Sequence, residues 1–354
     1  MPPTKPYRMK AEPAEAPPAR KSSPPAQTLE SVLHRYVNWH EAEGHSRKTE
    51  QDAKTNLRPF FRYLKTEFDI THVEQVEVDN IRSWLVWLRN TPSQRKRPRS
   101  SKTIESYCRQ VMAFFRWCMA EEIVMHNPLG RLKLPRAEKK IIRVFSDEEI
   151  KRMHEACQPN PSGLRPDVRR MLTTRNRAIM WVLLDTGMRA SELGGIRFMD
   201  FDRKRGTVYI MGKGAKERKL LLGQHSYHYL TAYLDHWRGE SESGKDRLFL
   251  TDDGSSLTLA TITKMFARLK TRGEIPDKRV SAHTCRHWYA VRFLLEGGKL
   301  FALQKLLGHE TLEMVRIYAN IADTDAEEEQ RKYSPADRIE LEPTKVKRRG
   351  FRQG

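Results

Sequence analysis

LLDTGMRASELGGI, residues 183–196, is the stretch on which the fold turns. An apolar helical run ends at Gly187 and the next helix begins at Arg189, which leaves a guanidinium at the junction. Downstream, Thr207–Met211 alternates apolar and polar residues, GKGAKE follows, and a second apolar run covers Leu220–Leu222. That is a β-hairpin whose Gly-containing turn carries Lys213 and Lys216. SAHTCRHWYA, residues 281–290, puts His283 and Arg286 at i and i+3 on one helical face. LLGHETLEMVRIYANI, residues 306–321, has His309 at a Gly-marked loop and Tyr318 nine residues later inside a helix. Upstream, Ser146-Asp-Glu-Glu149 is a capping box, and helical periods run through Ile150, Met153, Ile179, Val182 and Leu183. Residues 146–333 therefore form a mostly α domain with a small antiparallel β-sheet, of the α+β class.

Ahead of this lies a second folding unit, as the 354-residue length suggests at roughly 150 residues per domain. Thr28 is a plausible N-cap for a helix with Leu29, Val32, Leu33, Tyr36 and Val37 on one face, and Gly44 a plausible stop. Further helices are expected over about Ser46–Lys65, Val78–Arg89 and from near Lys102, burying Leu57, Phe60, Trp84, Leu88, Cys108 and Phe115 among others. Residues 27–127 thus read as a small helical domain. Asn127-Pro128 breaks the pattern, and 128–145 reads as a basic linker. Residues 1–26 hold eight of the nineteen prolines and read as a disordered tail. Residues 334–354 read as a basic tail, in which the family resemblance carried by the motifs implies docking of Ile339 and Leu341 on a neighbouring subunit. CQPNPSGLRPDVRRMLTTR, residues 157–175, reads as a surface insertion.

The charge narrows the partner. Lys and Arg number 65 against 45 Asp and Glu, a net +20. Between Pro92 and Phe145 thirteen Lys and Arg stand against four Asp and Glu, nearly half of that surplus. Clustered positive charge is the footprint of a nucleic-acid binder, since each neutralised phosphate releases condensed counterions. RKRPR at 95–99 (Arg95, Lys96, Arg97, Arg99), with Lys102 and Arg109 on the helix that follows, are the candidate phosphate and base contacts. No apolar run approaches the roughly 20 residues of a membrane-spanning helix, and no secretory leader is evident. The four cysteines form no CxxC pair and read as buried thiols of a cytoplasmic protein.

Taken singly, each polar residue in the four segments has an ordinary structural explanation. Together they supply what attack by a phenol on a phosphodiester needs. Guanidiniums hold non-bridging oxygens in fork geometry and offset the charge that builds up. Histidines donate hydrogen bonds or move protons, and a protonated lysine gives a proton to a departing alkoxide. A tyrosine nucleophile conserves the bond as a phosphotyrosine. The sequence offers no acidic cluster spaced for Mg²⁺ and no GxxxxGK[ST] loop, so neither a metal nor another cofactor is expected.

With these motifs in order, the chain from about Thr28 to Ile321 resembles the tyrosine recombinases of the phage integrase family, in the Xer-like or transposon-encoded style. TGMRASEL resembles the first arginine box, which implies Arg189 as a catalytic arginine and Glu192 as its acidic helper. GKGAKER resembles the hairpin motif, implying Lys213 as general acid and Lys216 as a phosphate contact. HTCRH implies His283 and Arg286, LLGH implies His309, and Tyr318 falls at the nucleophile. His287 points about 100° from Arg286 on a helix and reads as structural; Tyr333 is the rival nucleophile. The resemblance further implies a core-binding domain that joins the catalytic domain in a clamp on duplex DNA. It also implies a homotetramer on paired sites, possible accessory proteins, and integration, excision or resolution of mobile DNA in a prokaryotic, nucleoid-associated setting. A type IB topoisomerase-like activity and a non-catalytic DNA-binding protein are the alternatives.

Overall fold

A computed structural model describes residues 27–93, 97–130, 132, 142–160, 163–211, 217–241, 243–309 and 311–322. The expectations for both tails, and for Arg95, Lys96, Lys213, Lys216 and Tyr333, lie outside the described residues. The chain divides into two compact units, Met1–Lys140 and Ile141–Gly354. Helices dominate, and the described strands form one small antiparallel sheet.

The first unit contains α1 (Leu29–Ala42), α2 (Arg47–Phe68), α3 (Val78–Asn90) and α4 (Ser101–Ala120). Three of the helices begin where a hydroxyl takes up a free backbone donor: Thr28, Ser46 and Ser100 accept from the N–H of Ser31, Thr49 and Thr103. Pro59 sits inside α2, a site that costs about 3 kcal/mol. Burial of Leu57, Phe60, Phe61 and Leu64 offsets it, at about 1.5–3 kcal/mol for each side chain. The core is aromatic, with Phe60 against Trp84 at 4.6 Å and Tyr36 edge-on to Phe114 at 5.5 Å. Leu129, which the sequence places in the linker, is a buried member of this core.

The second unit opens with α5 (Asp147–Ala156). Its capping box is intact: Ser146 N–H donates to Glu149 at 2.7 Å and the Glu149 N–H to Ser146 Oγ at 3.2 Å. The remaining helices are α6 (Pro166–Thr186), α7 (Ala190–Gly195), α8 (Gln224–Tyr233), α9 (Leu259–Arg272), α10 (Ala282–Leu295), α11 (Leu300–Leu307) and α12 (Glu313–Ala322). Between α7 and α8 lie β1 (Phe201–Asp202), β2 (Thr207–Met211) and β3 (Glu217–Leu221), paired antiparallel in that order with Val208 opposite Leu220. The hairpin β2–β3 falls where alternation marked it; β1, at two residues, carries no periodic signal. Residues 157–175 are not a surface insertion throughout, because from Pro166 onward they form the first turns of α6 and Cys157 is fully buried. Phe145, expected in the linker, is also core.

α6 packs against α8 and α10 in the large core, while α10, α11 and α12 close a smaller one around Val291, Leu303, Leu307, Val315 and Tyr318. The Asp185 carboxylate accepts from the Gly223 N–H at 2.6 Å and from the Ser226 hydroxyl, fastening the end of α6 to the start of α8. All four cysteines are buried and free, and burial pushes each thiol above its ordinary range. Among the described residues no helix is long and apolar enough to cross a membrane.

Candidate active site

The site starts from a turn that glycine alone fits. α6 stops at Gly187 with φ +59°, and a Cβ there would lie 2.5 Å from the Tyr289 ring and 2.9 Å from Leu307. The turn aims the Gly187 carbonyl at α10 and delivers Arg189 as the N-cap of α7. A Gly187→Ala variant should lose about 1–3 kcal/mol from backbone strain, plus the clash. Thermal melting checks this, at about 2–4 °C per kcal/mol for a unit of this size.

Glu192 is the hub of the first half of the site. Its carboxylate accepts from the Arg189 backbone N–H at 2.7 Å and the Arg189 guanidinium at 3.0 Å. It also takes a two-pronged grip from Arg218 on β3, at 3.0 and 2.6 Å. Burial pushes the Glu192 carboxyl up, but the Arg218 fork and the Arg189 donors outweigh it and hold the group below the usual carboxylate range. Arg218 Nε also donates to the Leu306 carbonyl at 3.0 Å, which ties the sheet to α11. Arg189 has a side chain that is 43% exposed and its fork is only partly used, so donors remain for an anion.

Arg286 is the centre of the second half and is 3% exposed. It donates to the Gly187 carbonyl at 2.9 Å, the Leu307 carbonyl at 2.8 Å and His309 Nε2 at 2.7 Å. Burial, then the nearby Arg189, holds its guanidinium down to about 10, still protonated at neutral pH. His309 follows Gly308, which ends α11 in the left-handed conformation. Burial and the surrounding Arg286, Arg189 and Arg218 hold the His309 imidazole down to about 4, so the ring is neutral. With Nε2 accepting from Arg286, its hydrogen sits on Nδ1, which is buried with no hydrogen-bond partner among the described residues.

Tyr318 on α12 is 4% exposed, its ring nearly parallel to that of His309 at 6.5 Å. Burial raises the phenol, while Arg286 and Arg189 pull it down in part. Its Oη lies 2.9 Å from His287 Nδ1. His287, read as structural from the sequence, is thus a direct neighbour of the phenol. The ring does point away from Arg286, but it shares the helical face of His283, 4.2 Å away between centroids, and that face meets α12.

Arg189, Glu192, Arg286, His309 and Tyr318 are thus brought together, and His283 reaches the group through His287. Two members went unnoticed in the sequence. His287 lies about 100° from Arg286 on the helix, yet its i+4 spacing puts it on the face of His283. Arg218 stands within the quoted GKGAKER, but its partner Glu192 is 26 residues away.

In the first unit, the basic candidates divide. Lys102 is exposed in the first turn of α4, and Arg97 is exposed. Arg99 instead lies over the Trp87 ring at 5.1 Å and donates to the Thr91 carbonyl, so it ties the α3–α4 connection together. Arg109 is paired with Glu105 one turn earlier on α4. Among the described residues no three His, Cys, Asp or Glu side chains gather as a metal site. What the second unit assembles is an anion cradle of fixed guanidinium and imidazole groups against a phenol.

The model of the phage integrase family matches residues 143–325. The chain is 27% identical to the tyrosine recombinase XerD of Halalkalibacterium halodurans, over 84% of this chain and 95% of that one. It is 28% identical to the tyrosine recombinase XerC of Anoxybacillus flavithermus, over 76% and 85%. Its fold is similar to that of the Tn1549 transposon integrase solved with transposon right end DNA, with a TM-score of 0.66, 18% identity, and 86% and 99% of the two chains covered. It is also similar to the XerH site-specific recombinase solved in a post-cleavage complex with palindromic difH substrate, with a TM-score of 0.61, 21% identity, and 87% and 84% covered.

Proposed function

The chain belongs to the phage integrase family, and from that premise we propose that it is a tyrosine site-specific recombinase of double-stranded DNA. The observation that carries the reading is the convergence of Arg286, Arg189 and His309 on the buried phenol of Tyr318. Tyr318 Oη attacks a scissile phosphorus, and the new O–P bond forms as the bond to the 5′ oxygen breaks. Arg189 and Arg286 hold the non-bridging oxygens and offset their growing charge, with His309 and His283 as further donors. Glu192 and Arg218 position Arg189. Lys213 gives its proton to the departing 5′ oxygen. The product is a 3′-phosphotyrosine, close in energy to the diester, so the 5′-hydroxyl of a partner strand reverses the step without outside energy.

The net +20 charge supports a polyanionic partner. The basic segment around Arg97 and Lys102 is assigned to the duplex, with Arg95, Lys96 and Lys216 as further phosphate contacts. Strand exchange between two sites calls for four protomers, and accessory proteins would set its direction. Mobile-element DNA in a prokaryotic cytoplasm is the proposed setting.

The test uses repeats flanking the coding region, screened for duplexes that the protein binds, then nicked just downstream of the scissile phosphate so that cleavage releases a short fragment bearing the 5′-hydroxyl. A covalent adduct through the 3′ phosphate is expected, and joint products from two sites. Relaxation of supercoils without joint products would point to topoisomerase-like activity; duplex binding without an adduct would leave a DNA-binding protein only. In the same assay Lys213→Ala should slow cleavage by about 10²–10⁴-fold. A 5′-phosphorothiolate, whose leaving group needs no proton, should restore it; no rescue would remove Lys213 from the acid role.

A further inference from the structure

The stretch 157–175, read from the sequence as an insertion, takes no part in the phosphotyrosine chemistry. Together with α9 it walls a cavity of about 420 Å³. Leu164, Leu172, Met265 and Leu269 give the cavity apolar sides. Three guanidiniums also line it, Arg175 from α6 and Arg268 and Arg272 from α9, with Asp252 the one carboxylate among the described lining residues. Met265, Arg268 and Arg272 stand at i, i+3 and i+7, which puts them on one face of α9. None of the three arginines forms an ion pair with a described residue. We propose that this cavity binds a free nucleoside monophosphate, its phosphate on Arg175, Arg268 and Arg272 and its base between the apolar sides. The site shares no residue with the phosphotyrosine site and does not rest on the recombinase reading.

Arg175 is the anchor, at 7% exposed. It donates to the Leu250 carbonyl at 3.1 Å and to Asn176 Oδ1 at 3.4 Å, and its Nε is buried with no hydrogen-bond partner among the described residues. Burial pushes its guanidinium down and Arg268 adds to the effect, while Tyr233 and Asp252 oppose them. A buried cation without a paired anion is costly to hold, and an anion entering the cavity relieves that cost. Arg272 reaches the Ala156 and Gln158 carbonyls only at 3.5 Å, and Arg268 is exposed, so both have donors to turn on a phosphate. The cavity has the size of an organic ligand's site, and an inorganic anion would leave most of it empty. Asp252 repels a second anionic group but accepts from O–H and N–H donors, as a sugar or a base offers. A ligand with one anionic end, a flat apolar body and donors at its edge meets all three demands. The backbone of a duplex is too wide to bring a phosphate to the buried Arg175.

Titration calorimetry of the full chain with adenosine 5′-monophosphate should show one site per chain. Inorganic phosphate and adenosine should each bind at least about tenfold more weakly, because each gives up one half of the contacts. Arg268→Gln and Arg272→Gln lie at exposed positions and should melt as wild type does. Each should weaken the nucleotide by about tenfold or more, the loss of a charge-assisted hydrogen bond. The double variant should bind duplex as tightly as wild type. No binding of the nucleotide, equal affinity for nucleotide and inorganic phosphate, or undiminished nucleotide binding by the double variant would each overturn the site. A loss of duplex affinity in the double variant that matches its loss of nucleotide affinity would assign these arginines to the DNA backbone, and would overturn it as well. A chain that binds the nucleotide yet forms no adduct with DNA would leave this site standing while the recombinase reading fails.

Discussion

Tyr318→Phe should bind duplex as wild type does and form no covalent adduct, a loss limited only by the detection floor of the trapping assay. The substitution removes one oxygen and keeps the ring that packs with Val291, Leu303, Leu307 and Val315, so the small core around α12 is preserved. Its structural cost is the hydrogen bond with His287, about 1 kcal/mol. A fall of that size leaves folding and duplex affinity measurable, which separates loss of the nucleophile from loss of the protein. Denaturing electrophoresis of labelled suicide duplex is the measurement, with mobility shift on the same samples as control. An adduct that persists in the variant would move the nucleophile elsewhere, with Tyr333 the first candidate to test by the same substitution.

Much of this site could be read before any coordinates, and the reason is local. Gly187, Gly308 and the Ser146–Glu149 box announce helix ends through backbone chemistry that acts over three or four residues. Arg189, His309 and Tyr318 are fixed relative to those ends, so their elements could be assigned from spacing alone. The hairpin was legible because Val208, Ile210 and Leu220 alternate with outward residues on a half-buried sheet. What escaped were contacts between distant segments. Arg218 matters through Glu192 and the Leu306 carbonyl, 26 and 88 residues away, and no local pattern encodes either bond. His287 is next to Arg286 in the chain, but the side chain it meets is the phenol 31 residues on. Arg99 read as one more charge in a basic run; only the packing of α3 beside α4 puts it over Trp87. Leu129 and Phe145 read as linker because Asn127-Pro128 and the basic stretch break the helical period between them, yet each is buried in the core of its own unit.

Arg286→Lys should cost at least about 10²–10³-fold in cleavage although the charge is formally kept, because what the site uses is the fork and not the charge alone. The guanidinium spans three acceptors at once: the Gly187 and Leu307 carbonyls at 2.9 and 2.8 Å, and His309 Nε2 at 2.7 Å. An ammonium at the end of a flexible stem cannot reach all three from a position that is 3% exposed. At least one carbonyl at a helix end is then left unpaired, worth about 1–3 kcal/mol of stability. His309 also loses the donor that fixes its ring against Tyr318. The comparison that isolates the chemistry is Arg189→Lys, where the side chain is 43% exposed and anchored by a carboxylate rather than by buried carbonyls. Both variants should lose cleavage, but only Arg286→Lys should lower the melting temperature measurably. Equal melting temperatures with unequal cleavage would mean that the buried guanidinium serves the phosphate alone; a wild-type cleavage rate in Arg286→Lys would remove the fork from the mechanism.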